Sequence, residues 1–234
     1  MGAPGPMITH AERAIASAAV ALTPSTAALH SLCGRFREEL ARALAGRAGS
    51  LKMLPTFVQP PRGDERGPAL FIDWGGTHGR AGCVALDGAG RVEMLREERF
   101  TFGEAARAGP AERAFDAIAA ALARVIGPEA APLGFVYSFP ARLERIDRAI
   151  ALPLTKGWRL RGLEGQDVVG LLVGALGRRG LRQATVTAVC NDTVAAMAAL
   201  TYRLRGLDRR ARPADIGLIV GTGSNQAADL GAEG

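Results

Sequence analysis

From Ala69 onward, short apolar segments typical of strands alternate with amphipathic segments typical of helices. Strands are predicted over residues 69–72, 80–86, 133–139, 184–189 and 216–220, and helices over residues 111–126, 166–179 and 193–203. Because each kind of element buries its apolar side against the other, this alternation predicts an α/β fold. The first two strands are separated by a glycine-containing turn, which predicts a β-hairpin.

The region before Ala69 has a helical pattern. A weak helix is predicted over residues 7–22, and a second helix follows a break at residues 23–26. The second helix carries apolar residues at three- and four-residue steps, which predict one buried face: Leu29, Leu32, Phe36, Leu40 and Leu44. Residues 59–68 are rich in proline, glycine and charge, so we place a domain boundary there.

Composition narrows the classes of function. The chain has 29 basic and 23 acidic residues, but the arginines are scattered and aromatic residues make up only 5%, so no nucleic-acid partner is expected. Cys33, Cys83 and Cys190 lie far apart, which predicts buried thiols rather than disulfides or a zinc site. Since no apolar run reaches the length of a membrane span and no signal peptide is recognised, we expect a cytoplasmic protein without a membrane partner.

Two glycine turns each follow an apolar strand. Their candidate nucleotide-binding positions are Asp73, Gly75, Gly76, Thr77 and Arg80 in the first turn, and Gly221, Thr222 and Gly223 in the second. Glycines let backbone N–H groups approach a phosphate, and an acidic side chain such as Asp73 can face Mg²⁺ through water. The alternative is that each is an ordinary turn. Two such turns facing each other across a cleft would hold the β- and γ-phosphates of a nucleotide.

Three further segments carry candidate catalytic or binding side chains. Asp192 stands where a strand gives way to a helix, and its carboxylate can accept the proton of a hydroxyl that attacks a phosphate, with Asn191 binding beside it. The alternative for Asp192 is a helix N-cap. Lys156 can stabilise charge on a transferred phosphoryl group or simply extend into solvent. Ser138 ends its strand and can offer a hydroxyl to a ligand.

Taken in order, these segments resemble the hexokinase family, which includes the eukaryotic hexokinases and glucokinases. The matching runs are residues 50–58, 73–77, 138–140, 155–157, 165–169, 191–193 and 216–225. Each run is modest, but their joint occurrence in this order is specific.

The resemblance implies an actin-like ATPase (ribonuclease H-like) fold of two α/β lobes, with a hexose in the cleft and ATP with Mg²⁺ across it. It implies that Asp192 is the catalytic base, that Lys156 also takes part in catalysis, and that the sugar is contacted by Ser138, Thr155, Lys156, Asn191, Asp192 and Asn225. The implied activity is ATP-dependent phosphorylation of a hexose, with glucose expected, at the 6-hydroxyl as the first step of glycolysis. The alternative is a non-catalytic sugar-sensing or regulatory protein.

The sequence departs from the family pattern in three places, one of which is Gln166, where the family commonly has an acidic residue. His78 and Gly79 stand where the family usually has Asn and Phe, within the first phosphate turn. The two glutamates that grip the sugar in the family, and its adenosine-binding segment, are expected beyond Gly234. We therefore expect an N-terminal part of a hexokinase, with a complete small lobe over residues 67–189 and an incomplete large lobe formed by residues 1–66 and 190–234.

Overall fold

The computed structural model of the protein describes residues 9–220 and 224–229. The chain divides into two compact units, Met1–Met53 and Leu54–Gly234. This division does not test the lobe boundaries expected from the sequence at 66/67 and 189/190, which stay a prediction. None of the described helices is both long and apolar enough to cross a membrane.

The first unit contains two helices, α1 (His10–Leu22) and α2 (Thr26–Leu44). The predicted break between them is confirmed, because the Ser25 hydroxyl accepts a hydrogen bond from Ala28 N at 3.2 Å and caps α2. The predicted buried face of α2 is not formed: no described residue of this helix is buried, and Leu32 and Phe36 are exposed. The apolar spacing specifies a stripe, but no described element of this unit shields it.

The elements of the second unit are, in chain order, β1 (Arg66–Trp74), β2 (His78–Asp87), β3 (Val92–Thr101), α3 (Glu104–Arg107), α4 (Ala111–Ala123), β4 (Ala131–Tyr137), β5 (Ala141–Arg145), β6 (Arg148–Ala151), α5 (Val168–Arg178), β7 (Ala184–Cys190), α6 (Asp192–Leu207), β8 (Ile216–Val220) and β9 (Ser224–Ala228). All five predicted strands and all three predicted helices of this region are present, with small shifts of their ends. The strands β3, β5, β6 and β9 were not predicted.

A five-stranded sheet in the order β3-β2-β1-β4-β7 forms the centre of this unit. The predicted hairpin is confirmed as the antiparallel pair β1 and β2, and β3 extends it. β4 pairs in parallel with β1, and β7 pairs in parallel with β4, so these three strands end at the same edge of the sheet. The strands β5 and β6 form a separate hairpin, and so do β8 and β9.

The core of the unit is built from alternate residues of the central strands and the apolar faces of α4 and α5. Its largest fully buried side chains include Ile72, Trp74, Phe115, Ile118, Leu122, Leu133, Phe135, Tyr137 and Leu172. Each of these helices and strands buries an apolar face of the kind that its sequence pattern predicts.

Helix α6 is attached to the sheet through Tyr202. Its hydroxyl donates to the backbone oxygen of Glu65 at 3.0 Å and accepts from the backbone N–H of Gly88 at 3.1 Å. These bonds tie α6 to the start of β1 and to the turn between β2 and β3. These bonds lie at the end of the sheet where β1 begins. The first residues of α6 lie at the other end of the sheet, next to the carboxyl ends of the parallel strands.

Candidate active site

Predicted site residues converge at the carboxyl ends of β1, β4 and β7. In the register of the sheet, Asp73 on β1 pairs with Val136 on β4, which pairs with Cys190 on β7. The glycine turn, Ser138 and Asp192 follow directly after these strand ends. In α/β proteins, ligands bind in the crevice outside the carboxyl ends of parallel strands. The topology therefore brings three separately predicted segments to one edge of the sheet.

Asp192 is the first residue of α6. The N-cap of this helix is Asn191, whose Oδ1 accepts from the backbone N–H of Thr193 at 3.3 Å. The alternative that Asp192 serves as the N-cap is therefore wrong, because its neighbour fills that position. Asp192 is half-buried, and its Oδ1 accepts from the same Thr193 N–H at 2.9 Å, which orients the carboxylate.

Asn225 joins this group from β9. Its Nδ2 donates to Asp192 Oδ1 at 3.1 Å, lies 3.3 Å from the Thr193 hydroxyl, and also contacts Asn191 Oδ1. Three predicted sugar-binding residues therefore form one cluster at the start of α6. Thr193 was not predicted, although its position directly after the Asn-Asp pair was the available signal.

Lys156 lies in a tight turn over residues 155–158, closed by a bond from Trp158 N to Thr155 O at 3.2 Å. Lys156 and Gly157 both have positive φ angles, of 60° and 78°. The Lys156 ammonium group donates to the backbone oxygen of Ser138 at 2.9 Å, so the side chain folds back over the end of β4, although the residue remains exposed. Ser138 itself is buried and Thr155 is exposed; their contacts with a sugar stay predictions.

The first glycine turn joins β1 to β2. Gly75 N donates to His78 O at 3.1 Å, which closes the turn. Beside it, the Arg80 guanidinium binds Asp73 Oδ2 at 2.7 Å, so these two predicted phosphate-site residues pair with each other across the hairpin. The exposed Thr77 lies in the same turn, and the phosphate contacts of all these residues stay predictions.

The donor set at this turn fits one kind of metal site. Among residues 9–220 and 224–229, no group of three or more His, Cys, Asp or Glu side chains is arranged to hold a metal ion. A single carboxylate such as that of Asp73 is compatible with Mg²⁺, which is commonly held by one or two carboxylates together with the phosphates of a substrate. Asp73 would then hold the ion through water, and the ion would offset the charge of the phosphates.

The departure at residues 78 and 79 has a structural explanation. Gly79 is buried directly opposite Phe100 on β3, and a Cβ atom at this position would lie 2.3 Å from the Phe100 ring. Any side chain at position 79 would therefore displace the aromatic ring that covers it. His78 is exposed and contributes its backbone oxygen to the turn, so the turn closes without the family's usual side chains.

The second glycine turn, Gly221, Thr222 and Gly223, lies outside the described residues, so its proposed contact with phosphate stays a prediction. The flanking strands β8 and β9 are antiparallel, with Val220 paired to Ser224. The described residues on either side of the turn, Val220 and Ser224, are thus next to each other, and Asn225 joins the cluster around Asp192.

The thiol of Cys190 lies close to both acidic residues. Burial, together with the negative charges of Asp192 and Asp73, raises the pKa of this thiol to about 11. Both carboxylates therefore lie close enough to act on one sulfur atom. Cys83 is buried as predicted, whereas the prediction for Cys33 is wrong, since this residue is on the exposed surface of α2.

These pKa and exposure differences predict selective labelling. At pH 8 we expect Cys190 to react with iodoacetamide about 100-fold more slowly than a thiol with the ordinary pKa of 9.0, because only the thiolate is nucleophilic. Cys33 should be labelled first. Peptide mass spectrometry over a time course measures both rates, with a Cys33→Ser variant as the control. Equal labelling of Cys33 and Cys190 at pH 8 would contradict the raised pKa.

Trp158 also belongs to this region, although the sequence alone predicts no role for it. Its indole Nε1 donates to the backbone oxygen of Gly76 at 2.7 Å and so connects the Lys156 turn to the first glycine turn. The only signal in the sequence was a large aromatic residue immediately after Lys156 and Gly157.

The chain is similar to known hexokinases along most of its length. A family model described as Hexokinase matches residues 14–202. Hexokinase-3 of Homo sapiens is 37% identical over 203 residues, which are 84% of this chain and 21% of the human protein. Hexokinase-2 of Equus caballus is 39% identical over 202 residues, or 82% of this chain and 21% of that protein. The chain thus spans about a fifth of the length of these curated relatives.

Solved structures give the same result. A hexokinase from Schistosoma mansoni complexed with glucose superimposes with a TM-score of 0.67 and 32% identity, covering 77% of this chain and 40% of that one. Another hexokinase crystal structure gives a TM-score of 0.70 at 30% identity, covering 88% of this chain and 50% of that one. The predicted fold class, α/β of the actin-like ATPase type, is confirmed by these neighbours. Matched in sequence by a family model over most of its residues and in structure by these proteins, the chain belongs to the hexokinase family.

Proposed function

We propose that the protein carrying this chain phosphorylates a hexose, with glucose as the expected substrate, at the 6-hydroxyl, using ATP and Mg²⁺. A cytoplasmic location and a place at the start of glycolysis belong to the same proposal. Family membership supports it, as does the glucose bound in the Schistosoma mansoni hexokinase. The observation that carries it is the cluster of Asp192, Asn191 and Asn225 at the same strand ends as the first glycine turn.

The proposed mechanism assigns the proton transfer to Asp192. As the 6-hydroxyl oxygen forms a bond to the γ-phosphorus, the bond from that phosphorus to the β–γ bridging oxygen breaks and ADP leaves. The carboxylate of Asp192 takes the hydroxyl proton, while Asn191 and Asn225 hold the sugar next to it. Lys156 and the backbone N–H groups of the glycine turn stabilise negative charge on the transferred group.

The test measures binding and turnover separately on the purified full-length protein that carries this chain. We expect calorimetry to detect glucose binding, and a coupled assay with Mg-ATP to detect glucose-dependent ADP release together with glucose 6-phosphate. A full-length protein that shows neither would contradict the proposal. Omitting glucose is the control for ATP hydrolysis that does not depend on the sugar.

A non-catalytic sugar-sensing protein is the second candidate function. The observation that favours it is the ion pair between Arg80 and Asp73, at 2.7 Å, which engages both charged side chains expected at the phosphates and the metal. Glucose binding without any glucose-dependent ADP release would favour this candidate. Turnover well above the glucose-free background would exclude it.

A further inference from the structure

We infer that Trp158 is a positioning residue that couples sugar binding to nucleotide binding. It does so by fixing the orientation of the Gly76–Thr77 peptide in the first glycine turn. This inference rests on the proposed function, because it assigns the residue 155–158 turn to the sugar and the residue 75–77 turn to phosphate.

The coupling begins with one hydrogen bond between the two turns. The Trp158 indole N–H donates to Gly76 O at 2.7 Å, and the indole is 3% exposed. Breaking this bond would leave the buried indole N–H of Trp158 without a partner, which is costly. The bond therefore holds the Gly76 carbonyl in one direction.

The orientation of that carbonyl also sets the next backbone N–H. The peptide bond is planar and trans, so the N–H of Thr77 points away from the Gly76 carbonyl oxygen. The backbone N–H groups of this turn are the proposed phosphate donors. Trp158 therefore directs the Thr77 N–H without touching the nucleotide.

A second contact joins the same two turns. A Cβ atom at Gly76 would lie 2.5 Å from Lys156 Cδ, so the lysine stem rests directly on the glycine. The Lys156 ammonium group is also anchored on Ser138 O at 2.9 Å. A sugar that moves or orders the residue 155–158 turn thus acts on the Gly76 peptide through both contacts.

The indole ring itself is held firmly. Its centroid lies 5.4 Å from Trp74, 4.9 Å from Phe102 and 5.4 Å from Phe139, in edge-to-face arrangements. Trp74 ends β1 directly before Gly75, and Phe139 directly follows Ser138. Since the ring packs against both strand ends, its N–H has little freedom to point elsewhere.

The two tryptophans of the chain provide a matched experiment. Trp158→Phe keeps an aromatic ring and removes the N–H bonded to Gly76. Trp74→Phe makes the same change in the same aromatic cluster, but among residues 9–220 and 224–229 the Trp74 Nε1 has no hydrogen-bond partner. Calorimetry measures the Kd of β,γ-imido-ATP with Mg²⁺, once without glucose and once at saturating glucose.

In the wild-type full-length protein we expect glucose to tighten nucleotide binding by a factor within the roughly 5–150-fold range typical of coupled sites. Trp158→Phe should reduce this factor to about one while glucose affinity stays within about threefold, and Trp74→Phe should keep the wild-type factor. If glucose tightened nucleotide binding in Trp158→Phe as much as in the wild type, this inference would be wrong and the proposed function would be unaffected. A full-length wild-type protein that binds neither ligand would overturn the proposed function and this inference with it.

A second variant keeps the test valid if Trp158→Phe does not fold. Gly76→Ala leaves the indole in place but displaces the Lys156 side chain, so it separates the same two turns by a different change. We expect the coupling factor to fall in this variant as well. A folded Gly76→Ala variant with the wild-type factor would also count against the coupling.

Discussion

Replacing Asp192 with Asn in the full-length protein is expected to lower kcat for the proposed hexose phosphorylation about 10²–10⁴-fold, the usual contribution of a general base. The amide keeps an oxygen that can accept from Thr193 N, which holds Asp192 Oδ1 at 2.9 Å in the wild-type chain. It cannot accept the proton of the sugar hydroxyl. The variant should therefore fold and bind glucose while the chemical step slows.

The measurement compares initial rates from the ADP-coupled assay with glucose affinity from calorimetry. Asp215→Asn is the matched control, since it makes the same chemical change at an exposed residue directly before β8 to which no role in the site is assigned. That control should keep the wild-type kcat. An Asp192→Asn variant with unchanged turnover would show that another group takes the proton.

The central α/β pattern of this chain is largely predictable from the sequence, because burial in a sheet and in amphipathic helices leaves a periodic signal. The strand at 69–72 and the helix at 111–126 were found in this way, and the structure places them in β1 and α4. Polar residues directly after apolar strands were equally informative. Parallel strands bring their ends together, so Asp73 and Asp192 become neighbours of Cys190 although they are far apart in sequence.

Elements whose structure depends on a packing partner are harder to predict from the sequence. β3 is an edge strand in which Glu and Arg residues interrupt the apolar alternation, and its position is set by pairing with β2. The sequence of α2 likewise predicted a stripe correctly but not whether a partner covers it. Periodicity describes one element at a time and contains no information on what packs against it.

The detailed contacts of the site depend on which of two neighbouring residues takes a given position and on bonds between distant segments. Asn191 and Asp192 are both good N-caps, and which of them caps α6 is decided by the backbone at the end of β7. The role of Trp158 was hidden for a similar reason, because its partner Gly76 lies on a different turn. Contacts between distant segments are fixed by tertiary packing, and no local spacing reports them.

The largest effect on the free energy of unfolding is expected where the backbone of α6 meets the backbone of the turn between β2 and β3. Gly206, near the end of α6, lies against the turn between β2 and β3, and a Cβ atom there would be 2.0 Å from Gly90 N and 2.3 Å from Ala89 C. Neither atom belongs to a flexible side chain, so the helix or the turn must move. We expect Gly206→Ala to lower the free energy of unfolding by roughly 3 kcal/mol, at the upper end of the usual cost of overpacking.

Gly177→Ala separates this clash from the effect of alanine on a helix. Gly177 lies near the end of α5 and is exposed, and a Cβ atom there meets nothing within 4 Å. Alanine should therefore raise the free energy of unfolding at this position, by up to about 1 kcal/mol, through its higher helix propensity. Urea unfolding followed by circular dichroism measures both changes as shifts of the midpoint in opposite directions. Equal stability of Gly206→Ala and Gly177→Ala would show that α6 does not lie against the β2–β3 turn as closely as the Gly206–Gly90 contact requires. The Tyr202 bonds that fix α6, and with it Asp192, would then also be in question.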